Sequence, residues 1–165
     1  MKVYGIVGWK NTGKTTLVEK LVSEITARGF SVSTVKHAHH TFDVDHPGKD
    51  SFRHRAAGAR EVMLASKNRW ALMHESRGEP EASLADLLAR LSLVDLVLIE
   101  GYKRDGHAKI EVHRHETGQT LLALDDETVK AIAANVPVVM PGLPVFGLDD
   151  ITEIADFILR EVGLG

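Results

Sequence analysis

The chain has 165 residues, enough for one ordinary domain with a substantial core. With 44% hydrophobic residues, 26% charged residues of both signs and a formal net charge of -3, it is globular, and a protein that holds nucleic acid through bulk charge is excluded. The lack of cysteine excludes a disulfide framework and a thiolate metal site, and suits a reducing cytoplasm.

The run from Met1 to Val7 has no long apolar signal core. Residues 131–148 form the most membrane-like stretch, but Asn135, Pro137, Pro141, Gly142, Pro144 and Gly147 interrupt it. We expect a soluble cytoplasmic protein whose partners include neither membrane nor nucleic acid.

Residues 3–7 (Val-Tyr-Gly-Ile-Val) are a short apolar run that predicts a strand. Leu17, Val18, Leu21, Val22 and Ile25 then recur with the spacing of one helical face, and Gly29 stands where a helix ends. A β-like run at residues 31–35 follows at once. Strand, helix and strand with short joints make a βαβ unit, which requires parallel pairing. Residues 37–49 lose all periodicity and predict a loop. A short helix is expected from Asp50, with Phe52, Ala56 and Ala59 on one side. Residues 61–66 and 69–74 predict two strands around a Lys67-Asn68 turn.

Ser83 and Asp86 have capping-box spacing ahead of a helix whose apolar face is Leu84, Leu87, Leu88 and Leu91. Residues 93–99 are the best buried-strand candidate, and they end abruptly at Glu100-Gly101. Residues 109–114 alternate like a strand. A last helix is expected near Asp150, with Glu153 three residues on, burying Ile151, Ile154, Ala155, Ile158 and Val162. Alternating β and α segments predict a three-layer α/β fold around a mostly parallel sheet, as one domain over residues 1–165.

Gly8-Trp9-Lys10-Asn11-Thr12-Gly13-Lys14-Thr15 matches the P-loop pattern at every fixed position, between a predicted strand and a predicted helix. The glycines let successive N–H groups turn inward toward phosphate oxygens, and the N-terminus of the following helix adds partial positive charge. Lys14 neutralises β- and γ-phosphates, and the Thr15 hydroxyl ligates Mg²⁺. Lys10, Asn11, Thr12 and Thr16 belong to the same cradle. Trp9 and Trp70 are read as packing residues rather than base-stacking ones.

Glu100, at the end of an apolar strand, is placed to hold Mg²⁺ through water, and with Lys14 it forms the candidate catalytic pair. Residues 36–51 are rich in His and Asp. They leave the carboxyl end of the second predicted strand, the edge where open α/β sheets bind ligands. Asp45 and Asp50 there suit metal-bound water, and Lys49, Arg53 and Arg55 suit an anionic second ligand. A Zn²⁺ or Ni²⁺ site using His37, His39 and His40 competes with that reading, as does a polar loop with no specific ligand.

Several segments together resemble the molybdopterin-guanine dinucleotide biosynthesis protein B family. They are residues 8–16, Lys36-His37, residues 45–51 (Asp-His-Pro-Gly-Lys-Asp-Ser), residues 55–59 (Arg-Ala-Ala-Gly-Ala), residues 69–73 (Arg-Trp-Ala-Leu-Met), residues 99–103 (Ile-Glu-Gly-Tyr-Lys) and residues 147–151 (Gly-Leu-Asp-Asp-Ile). The resemblance implies a homodimer that binds GTP with Mg²⁺, hydrolyses it weakly, and assists the guanylyltransferase that joins GMP to molybdopterin. By position, Gly13, Lys14, Thr15 and Thr16 would hold phosphates, and Thr15 and Glu100, joined by Asp45, the magnesium. His37, Asp45, Lys49, Asp50 and Arg55 would line a neighbouring pocket for which molybdopterin is a candidate occupant.

The N-K-x-D guanine motif is absent from the sequence, so GTP preference comes from the resemblance alone. Residues 133–135 and 143–145 lie late enough in the chain to supply a base pocket. A nickel-insertion GTPase and a small-molecule P-loop kinase remain as competing readings of the same loop.

Overall fold

Six runs of β-forming residues become the strands β1 (Lys2–Val7), β2 (Val32–Lys36), β5 (Leu96–Glu100), β6 (Lys109–His113), β7 (Val129–Ala134) and β8 (Val145–Gly147). They pair side by side in one parallel sheet, in the order β2-β5-β1-β6-β7-β8. The computed structural model describes residues 1–38 and 42–165. Between β2 and β5 come helix α2 (Asp50–Ala56), strands β3 (Glu61–Ala65) and β4 (Trp70–His74), and helix α3 (Leu84–Leu88). Helices α1 (Lys14–Ala27) and α4 (Ile151–Glu161) complete the set.

The described chain groups into two compact units. One comprises Met1–His37 with Leu91–Gly165, and the other Ala38–Arg90. The first unit holds the sheet, α1 and α4. Its core joins Tyr4 and Ile6 of β1, Leu96 and Leu98 of β5, and Ile110 and Val112 of β6 to Leu17, Leu21 and Ile25 of α1 and to Ile154 and Ile158 of α4. Strand β5 is buried at all five positions, as expected of a parallel strand covered on both faces.

The chain runs from β1 through α1 to β2 on one side. Later it passes from β5 across β1 to β6 on the other. Such a reversal of direction opens a crevice at the carboxyl ends of the strands, and here that crevice lies at the end of β1. This is the α/β fold of P-loop nucleotide-binding proteins, as the loop pattern led us to expect.

Several local expectations are met. Gly29 closes α1 with φ +92° and donates to the Thr26 carbonyl at 3.0 Å. Ser83 and Asp86 form both bonds of the capping box. Strands β3 and β4 pair antiparallel around Lys67-Asn68.

Others need correction. Helix α2 ends at Ala56, so Ala59 lies beyond it, and its buried residue is Ser51, whose hydroxyl donates to Asp45 at 3.0 Å. In α4, Leu159 joins Ile154, Ala155 and Ile158 in the core, while Ile151 and Val162 are only partly covered. Helix α4 does start beside Asp150 as expected, and the Asp150 carboxylate accepts from the Gly147 backbone at 2.8 Å rather than from a helix N–H. Strand β6 is wholly buried although its sequence alternates, for reasons given below.

Candidate nucleotide site

The turn from β1 into α1 has the backbone its glycines require. Gly8 has φ +149°, and a Cβ there would stand 2.4 Å from the Val112 carbonyl oxygen, so only glycine lets β1 and β6 approach this closely. Gly13 has φ +97° and sits at the N-cap of α1 with no side-chain capping bond. Asn11 takes the left-handed conformation at φ +65°, which its short amide tolerates. The buried Thr12 hydroxyl donates to the Trp9 carbonyl at 3.0 Å and fastens the loop on itself.

Lys14 bends back so that Nζ donates to the same Trp9 carbonyl at 2.6 Å. Its pKa is lowered, chiefly by burial and then by the like charge of Lys103, with Glu100 pulling the other way. An ammonium held in this state gains from any anion brought beside it.

Next to it, the Thr15 hydroxyl donates to Glu100 Oε1 at 2.9 Å, and Glu100 is only 8% exposed. The pairing of β1, β2 and β5 aligns Ile6, Lys36 and Glu100 across the sheet edge, which brings the carboxylate to the loop. Lys36 Nζ lies 3.0 Å from Thr15 Oγ1 and 3.1 Å from Glu100 Oε1. A hydroxyl and a carboxylate are hard oxygen donors that suit Mg²⁺, and they already draw a cation to the point between them. The residues present fit that ion.

Strand β6 supplies what sequence reasoning missed. Arg114, just past its end, donates from Nε to the Thr12 carbonyl at 3.1 Å, bracing the loop from the side opposite Glu100. Lys103 Nζ stands 4.1 Å over the Trp9 ring, and the indole N–H donates to the Thr120 carbonyl at 2.9 Å. Burial also lowers the Lys103 pKa. Trp9, Lys10 and Asn11 line a cleft of about 640 Å³ together with Arg114, Glu116, Thr117 and Gln119. No local motif announces Arg114 or Glu116, and only the strand order reveals them.

The remaining predicted site residues divide between the units. His37 belongs to the first, where its ring lies 4.7 Å from that of Tyr102. Asp45, Lys49, Asp50 and Arg55 belong to the second. There Arg55 grips both oxygens of Asp43 at 2.9 Å and Glu75 at 3.2 Å, with Asp45 Oδ2 3.9 Å from its Nε. Asp45 is buried and accepts from the Ser51 hydroxyl and the His46 N–H, both at 3.0 Å.

Lys49 precedes α2 as its N-cap, and Asp50 faces Arg53 at 3.8 Å. A cleft of about 690 Å³ on this unit is lined by Asp50, Phe52 and Arg53 but not by Lys49 or Arg55. Among the described residues no three His, Asp or Glu side chains gather as a metal-holding group, and the proposed ligands His39 and His40 lie outside those residues. No helix of the described residues is long and apolar enough to cross a membrane.

Comparison with known proteins agrees with this architecture. The family model described as molybdopterin guanine dinucleotide synthesis protein B matches residues 3–135. The chain is 42% identical over 155 residues to the molybdopterin-guanine dinucleotide biosynthesis adapter protein of Escherichia coli (strain K12), covering 92% of this chain and 88% of that protein. To the adapter protein of the same description from Haemophilus influenzae it is 43% identical over 157 residues, covering 93% and 85%. Among solved structures, the MobB protein homolog from Bacillus stearothermophilus aligns with a TM-score of 0.73 and 31% identity over 100% of both chains. Bacillus subtilis MobB aligns with a TM-score of 0.79 and 26% identity over 98% of each. The chain belongs to the molybdopterin guanine dinucleotide synthesis protein B family.

Proposed function

We propose that this protein is a GTP-binding adapter of molybdopterin guanine dinucleotide biosynthesis. In this reading it works in the cytoplasm as a homodimer and assists the guanylyltransferase that joins GMP to molybdopterin. The observation that carries the nucleotide half is the loop of Gly8 to Thr15 closed against Glu100: a curled backbone, a half-buried ammonium and a hydroxyl–carboxylate pair at 2.9 Å. The adapter half rests on the family and on the printed description of the relatives.

On binding, Lys14 exchanges the Trp9 carbonyl for β- and γ-phosphate oxygens, and the amides of residues 9–16 point at the phosphates. Thr15 would hold Mg²⁺ directly and Glu100 through water, while Lys36 turns from that pair toward the polyphosphate. The ion when bound neutralises charge on the phosphate oxygens. No side chain is assigned to orient an attacking water, so turnover by the protein alone is slow, as befits an adapter. The second unit, with Asp45, Lys49, Asp50 and Arg55, carries the candidate surface for molybdopterin.

The test is calorimetric titration with GTP and with ATP in the presence of Mg²⁺, followed by co-purification with the guanylyltransferase. Micromolar or tighter binding of GTP and a complex with that enzyme support the proposal. Failure of GTP to bind, or a rate of many turnovers per second without a partner, refutes it.

A further inference from the structure

The sheet order places β6 directly beside β1, on the side away from Glu100, so the residues leaving β6 come down next to the phosphate loop. Arg114 is tied to Thr12, and the cleft beyond it is shared by Trp9, Lys10 and Asn11 of the loop with Glu116, Thr117 and Gln119. At about 640 Å³ it has the size of a small-molecule site.

Glu116 lies in a short 3₁₀ turn, His115–Thr117. Both its oxygens accept from Asn135 Nδ2 at 2.8 Å, and Asn135 in turn accepts from the His115 N–H at 3.1 Å. Asn135 follows the last residue of β7, so two neighbouring strand ends hold this carboxylate in a fixed plane. Its own backbone N–H and the Asn135 amide keep its pKa below the ordinary glutamate value. It is therefore an ionised pair of acceptors at neutral pH.

We propose that Glu116 reads the base of the bound nucleotide and that this cleft takes guanine. The proposal rests on the triphosphate-binding reading of the phosphate loop and adds to it the residue that sets specificity. Guanine presents N1–H and the 2-amino group side by side, two parallel donors for the two carboxylate oxygens. Adenine presents a ring nitrogen lone pair and a C–H along that edge, and a carboxylate repels the first and gains little from the second. The Asn135 nitrogen, shared between the two oxygens, stands where a donor edge meets the carboxylate. Two separate N–H groups from guanine replace one shared nitrogen. Trp9, expected from the sequence only to pack, lines the same cleft with the Arg114 guanidinium, and in this proposal the two supply planar groups against which a purine stacks.

The experiment titrates the full-length protein and its Glu116→Gln and Glu116→Ala variants with the magnesium salts of GTP, ITP, XTP and ATP. Inosine lacks the 2-amino donor, so wild-type protein should bind ITP about 10- to 100-fold more weakly than GTP, the span of one hydrogen bond to a charged group. Glutamine offers one acceptor and one donor, which complement the N1–H and 2-oxo group of xanthine. Glu116→Gln should therefore move preference from GTP toward XTP by at least about 10-fold, and Glu116→Ala should bind GTP and ITP alike.

A GTP-to-XTP ratio unchanged in a Glu116→Gln protein that melts like wild type overturns the assignment. If that variant melts early, the wild-type ratios decide, and equal affinity for GTP and ITP overturns it. Equal binding of all four by wild type sinks the base reader and leaves the triphosphate site standing, whereas binding of none sinks both.

Discussion

Replacing Lys14 with alanine separates the grip on phosphate from the stability of the fold. In the free protein the ammonium makes one 2.6 Å bond to the Trp9 carbonyl, and that oxygen also accepts from the Thr12 hydroxyl at 3.0 Å. Removing Lys14 thus leaves no orphaned acceptor, and it relieves the like charge of Lys103 and Lys36 that, after burial, lowers the Lys14 pKa. The stability change should stay below about 1 kcal/mol, a shift of roughly 2–4 °C in melting temperature for a chain of this size. Binding is another matter. Two charge-assisted bonds to phosphates at about 1.5–3 kcal/mol each, less about 1 kcal/mol for the forfeited carbonyl bond, leave roughly 2–5 kcal/mol. That weakens GTP binding by about 30-fold to several thousand-fold. Calorimetric titration with GTP and Mg²⁺ reads the binding loss and a thermal melt the stability change. Binding within about threefold of wild type would refute the phosphate role, and a melting drop beyond about 5 °C would assign Lys14 to the fold instead.

Gly8→Ala should cost about 2–4 kcal/mol and abolish nucleotide binding, because the new Cβ would meet the Val112 carbonyl oxygen at 2.4 Å and neither backbone can yield cheaply; thermal melts and titration check both. Lys109 is fully buried on β6, donating to the Lys103 and Asp105 carbonyls at 3.0 and 2.6 Å and to Asp126 at 3.4 Å. Lys109→Met keeps the volume but strands those acceptors, so stability should fall by about 3 kcal/mol in urea or heat, and a loss under about 1 kcal/mol would contradict the bonding. Lys14 and Lys103 both have pKa values lowered chiefly by burial. Between those values and the unfolded value of about 10.4 the unfolded chain binds more protons, so stability of the free protein rises with pH there while the charge available to phosphate disappears. GTP affinity should therefore fall as pH climbs toward about 10, with proton uptake on binding visible in buffers of different ionisation enthalpy.

The part of the site that lies within one stretch of chain was legible in the sequence. The loop pattern names its own residues, and Glu100 declares itself by ending an apolar run that can only be a buried strand. Strand β6 was misleading for a physical reason. Lys-Ile-Glu-Val-His at residues 109–113 alternates like a strand with one wet face, yet all five residues are buried. Lys109 is satisfied by loop carbonyls, while Glu111 accepts from the Leu122 and Ala123 N–H groups at 2.9 and 3.0 Å, and burial raises its pKa. Polar residues that find partners far along the chain look exposed to any rule based on local periodicity. Strands β7 and β8 were concealed in the opposite way, inside an apolar stretch whose Pro141, Gly142 and Pro144 mark the turn between two strands rather than a broken helix. The contact of Glu116 with Asn135 spans 19 residues and exists only because β6 and β7 are neighbours.

Each group assigned to the nucleotide is already partnered in the free protein: Lys14 by the Trp9 carbonyl, Thr15 and Glu100 by Lys36, and Glu116 by Asn135. Binding is then an exchange of partners, and its net free energy is the difference between new bonds and surrendered ones. This internal partnering compensates the charges of the site, which spares the fold the cost of unpaired buried groups. It also holds affinity well below what the number of contacts alone would give. The proposed adapter role would need no more than such modest affinity. In that role a second protein could shift the balance between the two sets of partners, holding nucleotide or releasing it.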